Sequence, residues 1–229
     1  MSILDVNNLC KSFKVGKEEV QVLKNINLKV EKGEFVSIMG PSGGGKSTLL
    51  YLLGGLDKPT SGTVTLGNEN LSNIKEKEMS KLRRSKIGFV FQFYNLVPNL
   101  SVEDNILLPV ILDGKKIKNY KNKLEEILDI IGMKEKRKLT PRELSGGQQQ
   151  RVAIARALVF DPEIIFLDEP IGNLDSKTGT EIMKLFKKIN KQYGKTLIQV
   201  THSKESALYG SSIVKLIDGE IVGIEKVNN

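Results

Sequence analysis

The stretch that decides the fold is GPSGGGKS at residues 40–47, which follows the apolar run Phe35–Met39 (FVSIM) and precedes TLLYLL at residues 48–53. It matches the pattern G-x-x-x-x-G-K-[ST] without a gap. The apolar run is typical of a strand covered on both faces, and residues 48–53 continue as a predicted helix. A glycine-rich turn between a buried strand and a helix predicts a phosphate-binding loop.

Each residue type in this loop has a chemical reason. Glycines let backbone N–H groups close around phosphates, and the helix N-terminus adds partial positive charge. We expect Lys46 to neutralise the β- and γ-phosphates of a nucleotide and the Ser47 hydroxyl to bind Mg²⁺. A turn that binds nothing is disfavoured by the flanking strand and helix. The predicted binding residues are Gly40, Ser42, Gly43, Gly44, Gly45, Lys46, Ser47 and Thr48.

A second apolar run, at residues 164–167, ends in the acidic pair Asp168 and Glu169. Ligands of parallel sheets bind at the carboxyl ends of the strands. Taken alone, the pair could equally be a helix cap. Beside the phosphate loop, it predicts that Asp168 holds Mg²⁺, usually through water, and that Glu169 polarises the attacking water as general base.

A third motif is LSGGQ at residues 144–148. It predicts a helix start in which Ser145 and Gln148 form a capping box. The capping box leaves Gly146 and Gly147 unexplained, because glycines in the first turn weaken a helix. Glycines are expected there if a phosphate approaches the N–H groups closely. Since one ATP needs one such cradle, the second indicates a site completed by another subunit.

The hydrophobic pattern divides the rest of the chain. Alternation in the first thirty residues and at residues 62–71 predicts half-buried antiparallel strands. A continuous run at residues 197–200 predicts another buried strand, and residues 213–224 predict a hairpin that turns at Asp218-Gly219.

Between about residues 93 and 160 the pattern becomes helical and predicts an inserted helical subdomain. One helix is expected to end at Gly132. Its apolar face consists of Ile117, Tyr120, Leu124, Ile127, Leu128 and Ile131.

The composition is that of an ordinary globular protein, with 39% hydrophobic and 27% charged residues in 229. The single cysteine, Cys10, has no partner for an internal disulfide and suits a reducing compartment. The sequence shows no signal peptide and no run of roughly 20 apolar residues. We therefore expect a cytoplasmic protein, with any membrane crossed by another chain.

The 35 Lys and Arg residues exceed the 27 Asp and Glu residues and give a net charge of +8. Much of the excess lies in residues 75–86 and 115–138, interleaved with glutamates and apolar residues. Solvated helix faces are the favoured interpretation, and electrostatic docking at a membrane surface is the alternative.

The chain resembles the ATPase subunits of ABC transporters. The motifs that carry the resemblance are the phosphate loop, LSGGQ at 144–148, LDE at 167–169 and Thr201-His202, and the resemblance covers nearly the whole chain. It implies an α/β fold, a P-loop NTPase (RecA-like) core with a mainly parallel sheet, an antiparallel β-subdomain and an inserted helical subdomain. In one domain over residues 1–229, residues 1–92 and 161–229 would form the core with the antiparallel subdomain, and residues 93–160 the helical subdomain.

The resemblance also implies roles for single residues. Gln92 matches a glutamine that contacts Mg²⁺ and senses the membrane partner, and His202 matches a histidine that contacts the γ-phosphate. Asp175 matches the loop that crosses the dimer interface, and Phe13 the aromatic residue that stacks on adenine. The implied nucleotide contacts from a second subunit are Ser145, Gly146, Gly147 and Gln148. The implied catalytic residues are Glu169, His202, Lys46 and Gln92, and the implied metal ligands are Ser47, Gln92 and Asp168.

Two positions depart from the family pattern. Ile171 stands where threonine commonly follows Glu-Pro, and Ser203 stands where aspartate commonly follows the histidine. Neither departure removes a catalytic group, but Ser203 bears on how the loop of His202 is held.

By resemblance, the expected function is ATP hydrolysis with Mg²⁺ in an ATP-dependent homodimer that drives a separate integral membrane permease. Residues 91–98 and 144–156 resemble the lipoprotein-release, macrolide-efflux and antimicrobial-peptide-resistance subgroup. This places the chain on the cytoplasmic face of the cell membrane, bound through the permease, with a peptide, lipid-linked or drug-like substrate.

Two alternatives stay open at this point. A division-associated ATPase has the same architecture, with a regulatory role. A soluble ABC-type ATPase acting on nucleic acid or iron–sulfur assembly is disfavoured, since residues 48–143 carry no sustained heptads, the chain has one cassette, and Gln148 stands where cluster-assembly relatives usually have Glu. No nucleic acid partner is expected.

Overall fold

A computed structural model describes residues 1–227, which form ten β-strands and seven α-helices. The strands are β1 (Ser2–Val15), β2 (Glu18–Glu31), β3 (Phe35–Met39), β4 (Ser61–Leu66), β5 (Glu69–Asn70), β6 (Ile87–Val90), β7 (Ile164–Asp168), β8 (Thr196–Thr201), β9 (Ser212–Ile217) and β10 (Glu220–Lys226). The helices are α1 (Lys46–Leu53), α2 (Glu76–Lys86), α3 (Val102–Leu112), α4 (Lys121–Ile131), α5 (Gly146–Leu158), α6 (Ser176–Tyr193) and α7 (Lys204–Ala207).

The strands of the described residues form two sheets. The larger has the order β10-β9-β3-β8-β7-β6, in which only β10 is antiparallel to its neighbour. The smaller is antiparallel, with the order β2-β1-β4-β5. The predicted α/β fold, with a mainly parallel sheet and an antiparallel subdomain, is confirmed.

The parallel strands are apolar throughout because both of their faces are covered. On β7, Phe166 packs into a cluster shared with α1 and the antiparallel sheet, whereas Ile165 and Leu167 pack into a second cluster with α3 to α6. All five residues of β7 are buried. Two cores therefore hold the sheet from opposite sides and keep the carboxyl ends of its strands in place.

Between β6 and β7, within residues 91–163, every regular element is helical. The prediction of one helix with a continuous face from Ile117 to Ile131 was wrong in its first turn. Residues Ile117–Tyr120 form a separate 3₁₀ turn, since Ile117 is exposed and Tyr120 packs edge-on against Phe160. The predicted end at Gly132 is confirmed, with φ of 65°.

The two basic stretches differ in structure. Residues 76–86 form the amphipathic helix α2, which buries Met79 and Leu82 and exposes Lys77 and Lys81. Residues 115–138 are divided among α4 and two 3₁₀ turns. Within residues 1–227, no helix is long and apolar enough to span a bilayer.

Candidate nucleotide-binding site

The phosphate loop connects β3 to α1 at the carboxyl edge of the larger sheet. Gly40 passes so close to β9 that an added Cβ would lie 1.9 Å from the Leu216 carbonyl oxygen. Gly43 and Gly45 have φ of 77° and 88°, which other residues rarely adopt. The Lys46 ammonium donates hydrogen bonds to the carbonyls of Gly40 (3.0 Å) and Pro41 (2.8 Å). These contacts hold the lysine over the loop, where it would meet a phosphate.

The N-terminus of α1 is not capped by a side chain. Its N-cap residue is Gly45, and the first turn contains no acidic residue. The first N–H groups of a helix have no partner within the helix, and they carry the positive end of its dipole. The start of α1 therefore offers free donors and positive potential to an anion.

Asp168 at the end of β7 accepts hydrogen bonds from two residues of α1. The Ser47 hydroxyl donates to one carboxylate oxygen at 2.9 Å, and the Tyr51 hydroxyl donates to the other at 2.6 Å. Burial, the hydrogen bond to Asp168 and the negative charge of Asp168 together raise the pKa of Tyr51 to about 12. Sequence reasoning missed Tyr51, although it lies one helical turn after Ser47 and hence on the same face.

Glu169 and His202 lie together although 33 residues separate them along the chain. In the parallel register of β7 and β8, Asp168 lies opposite Val200, and the Glu169 N–H donates to the Val200 carbonyl at 3.1 Å. Glu169 has a positive φ of 45°, an uncommon conformation for this residue type. The His202 Nδ1 is 3.0 Å from the Glu169 carboxylate. The pair can orient a water molecule and hold its proton.

Gln92, just beyond β6, is held by Asn173. Its side-chain amide donates to Asn173 Oδ1 at 3.2 Å, and the Asn173 amide donates to the Gln92 carbonyl at 3.1 Å. An added Cβ at Gly172 would lie 2.8 Å from the Gln92 amide nitrogen. Asn173, which was not among the predicted site residues, therefore ties Gln92 to the segment after β7.

Half of the predicted site residues line one cavity of about 410 Å³. Its lining consists of Val22, Ser42, Gly43, Gly45, Lys46, Ser47, Thr48, Gln92, Glu169 and His202. Phe13, predicted to stack on adenine, is not among them; it lies on β1, 40% exposed, with the Lys11 ammonium 4.8 Å from its ring centre. Val22 on β2 was missed by sequence reasoning.

The LSGGQ residues form the start of α5 and do not line this cavity. The predicted capping box is present: Ser145 Oγ accepts from the Gln148 N–H (3.4 Å), and the Gln148 side chain accepts from the Ser145 N–H (3.1 Å). Added Cβ atoms would lie 2.9 Å from the Tyr94 hydroxyl at Gly146 and 2.3 Å from Thr178 Cγ2 at Gly147. Packing within the chain thus gives a second reason for glycine at both positions, and their contact with a phosphate stays a prediction.

Asp175 caps α6. Its carboxylate accepts from the Thr178 N–H at 3.0 Å, and bonds from the Thr178 hydroxyl and N–H hold the pKa of Asp175 below its usual range. Ser203 likewise caps α7 by accepting from the Ser206 N–H at 3.2 Å. An aspartate at this position would make the same kind of cap, so serine keeps the loop of His202 anchored. Ile171 packs on Gly179 of α6, where an added Cβ would lie 3.5 Å from Ile171 Cδ1.

A family model described as ABC transporter matches residues 23–172. The chain belongs to this family. It is an ABC-type ATPase, which binds ATP and hydrolyses it to ADP and phosphate.

The most informative relatives match over nearly their whole length. The lipoprotein-releasing system ATP-binding protein LolD of Legionella pneumophila is 43% identical over 97% of this chain and 98% of its own. The cassette MJ0796 of Methanocaldococcus jannaschii is 47% identical over 98% of this chain and 97% of its own. Its dimeric structure in a post-hydrolysis state, bound to ADP and Pi, has a TM-score of 0.89 and covers 99% of both chains. The structure of cbiO1 from Clostridium perfringens, part of the ABC transporter complex cbiONQ, is 31% identical, with a TM-score of 0.88 over 98% of this chain and 88% of that one.

Proposed function

We propose that two copies of this ATPase close around two ATP molecules and drive a separate membrane permease. The observation that carries the proposal is the position of Ser145: it begins a helix outside the cavity of its own phosphate loop. In the proposed dimer, Ser145 and Gly147 of one copy close over the γ-phosphate held by Lys46 of the other. The dimeric structure of MJ0796, bound to ADP and Pi, supports the formation of a dimer.

The oxygen atoms at the end of β7 fit Mg²⁺. The Ser47 hydroxyl and the Asp168 carboxylate, 2.9 Å apart, are the hard ligands that this ion prefers. We infer that Ser47 binds it directly, that Asp168 holds it through water, and that Gln92 joins them by leaving Asn173. Bound there, Mg²⁺ would neutralise phosphate charge.

The catalytic step proposed for this site is the attack of water on the γ-phosphate. Glu169 accepts the proton of that water, His202 holds the Glu169 carboxylate in place and contacts the γ-phosphate, and Lys46 stabilises the charge that develops there. Closure of the second copy would exclude all other water. Phe13 and Val22 would contact the base from the ribbon of β1 and β2.

The relatives indicate the class of transporter. LolD is named as part of a lipoprotein-releasing system, and cbiO1 is part of a transporter complex. We infer that this chain likewise binds a permease at the cytoplasmic face of the membrane, through the helical subdomain near residues 92–98. The proposed substrate is a peptide, a lipid-linked molecule or a drug-like molecule that is exported or extracted.

The dimer is tested with a Glu169→Gln variant, which keeps the phosphate contacts and removes the base. With ATP and Mg²⁺ we expect a stable dimer in light scattering and no steady-state phosphate release. Adding Ser145→Asp should abolish the dimer, because aspartate preserves the helix cap but repels the phosphate. Gln192→Glu, at the far end of α6, is the matched charge control and should leave the dimer intact. Full hydrolysis by Glu169→Gln would show that Glu169 is not the general base.

The partner is tested by co-purification in detergent. Recovery of an integral membrane protein supports transport or division coupling. Recovery of nucleic acid or soluble scaffold proteins alone would overturn the permease proposal and leave the ATPase assignment unaffected.

A further inference from the structure

A strongly basic surface lies on α2 and on the turn that follows α3. We use the name "basic edge" for the surface formed by the exposed side chains of Lys77, Lys81 and Arg84 together with residues 111–121. Arg84 of α2 and Lys115 of the turn both pair with Asp113, at 2.5 and 3.0 Å. The Arg84–Asp113 pair joins the helix to the turn, and the Lys115–Asp113 pair lies within the turn. Lys115 also lies 4.4 Å from the centre of the Phe160 ring, which anchors the turn on the body of the protein.

Most acidic groups around this surface are paired with nearby cations, and Glu78 of α2 is the exception among those in the described residues. Asp113 pairs with two cations, and Lys123 takes both Glu126 and Asp161. Within the described residues, several exposed lysines of the basic edge form no ion pair: Lys77, Lys81, Lys116, Lys118 and Lys121. The edge therefore presents a local excess of positive charge to an external anion.

Large apolar side chains are exposed among these lysines. Ile111, Leu112 and Ile117 are 45%, 76% and 42% exposed. By contrast, the exposed lysines of α6 accompany a helix whose apolar residues from Ile182 to Ile189 are buried. Lysines interleaved with exposed aliphatic side chains are typical of surfaces that meet lipid headgroups and the adjoining acyl boundary. Single-stranded nucleic acid sites instead stack bases on exposed aromatic rings.

We propose that the basic edge binds an anionic phospholipid surface directly. The lysines meet the headgroup phosphates, and Leu112 and Ile117 enter the interface between them. This contact is separate from binding through a permease and does not rest on the proposed function. It would add a second, salt-sensitive attachment to the membrane.

The test is flotation of the full purified chain with vesicles of phosphatidylcholine containing 30% phosphatidylglycerol, against vesicles of phosphatidylcholine alone. We expect binding only to the anionic vesicles, weakening as salt rises. The variant Lys116→Gln/Lys118→Gln/Lys121→Gln should bind about 100-fold more weakly, since each lysine near the surface contributes about five-fold. The matched control, Lys184→Gln/Lys188→Gln/Lys191→Gln on α6, carries the same net charge and should bind within about two-fold of the wild type.

A second variant tests the apolar contribution. Leu112→Ser/Ile117→Ser should weaken binding and leave the salt dependence unchanged, because it removes no charge. ATPase activity and melting temperature should be unchanged in all three variants, which would show that the variants fold. Equal loss in the two lysine variants, or equal binding to both vesicle types, would overturn the proposal. So would tighter binding of a short DNA duplex, lost with the same three lysines, since the edge would then be a nucleic-acid site.

Discussion

The N-termini of α1 and α5 invite comparison, because both follow a glycine- and serine-containing motif and both are predicted to meet phosphate. The start of α1 has a glycine N-cap with no side-chain bond, and it opens into the cavity lined by Lys46. The start of α5 is closed by its own Ser145–Gln148 capping box and lies outside that cavity. The start of α1 leaves its N–H donors for a ligand, whereas the start of α5 uses some of its N–H donors in hydrogen bonds with its own side chains.

The difference shows how one chain prepares two kinds of phosphate contact. A helix start without a cap receives its missing hydrogen bonds from the ligand. Such a start is therefore less stable when no ligand is bound. A capped start is stable by itself and can present its remaining N–H groups to a site formed by another copy. Substitutions at the start of α1 should therefore lower activity more than stability. Substitutions that remove the cap or the packing at the start of α5 should also lower stability.

The largest effect is expected from Lys46→Ala. Loss of the ammonium removes the main positive charge from the cavity and should lower kcat/KM for ATP by about 100- to 1000-fold, with little loss of stability. Phosphate release and thermal melting measure the two effects. Lys184→Ala, an exposed lysine on α6, is the control. Wild-type turnover in Lys46→Ala would show that the lysine does not act at the phosphate site.

Gly147→Ala is expected to destabilise the fold by about 1–3 kcal/mol, because the new methyl group would meet Thr178. Thr178→Ser removes that contact, so the double variant should recover its melting temperature. It should also recover ATPase activity, since the methyl group points into its own chain. If stability returns without activity, the glycine is also required by the ligand or the second copy, and packing is not the whole explanation.

Ser145→Ala should cost about 1 kcal/mol, or roughly 2–4 °C in melting temperature, through loss of the cap. Ser145→Asp should retain the cap and the melting temperature while losing ATPase activity. This pair separates the structural role of the residue from its phosphate contact. Equal activity loss in both variants, at equal stability, would show that the hydroxyl itself matters and the added charge does not.

The smallest effect at neutral pH is expected from Tyr51→Phe, about 1 kcal/mol for one lost hydrogen bond. Tyrosine ionises near pH 10 in an unfolded chain, whereas the pKa of Tyr51 is raised to about 12 in the fold. As pH rises from 10 to 12 the unfolded state loses this proton first, so the wild type loses stability there. The melting temperatures of the two proteins should converge over that range. Parallel curves would show that the fold does not raise the pKa of Tyr51.

The sequence predicted well what depends on neighbouring residues. The buried strands, the phosphate loop, the capping box at Ser145 and the end of α4 at Gly132 each follow from a short segment, and the structure places them there. The one wrong helix turn, at Ile117–Tyr120, failed because Tyr120 packs on Phe160, a contact over 40 residues that periodicity does not contain.

The predicted roles of single residues depend on more than their motifs. Gln92 and Asn173 bond across 81 residues, and an added Cβ at Gly147 would lie 2.3 Å from Thr178 Cγ2. Neither pairing has a local signal. Residue type alone suggested a ligand at Gly147 and carried no sign of the packing against α6.

By itself, the sequence determined the phosphate loop, the uncapped start of α1 and the capped start of α5, because a run of a few residues specifies backbone conformation, donors and caps. Only the tertiary structure decided that Glu169 meets His202, that Tyr51 holds Asp168 and that Ser145 lies outside its own cavity. Those facts follow from the strand order and from the burial of two cores, which bring together residues far apart in the chain.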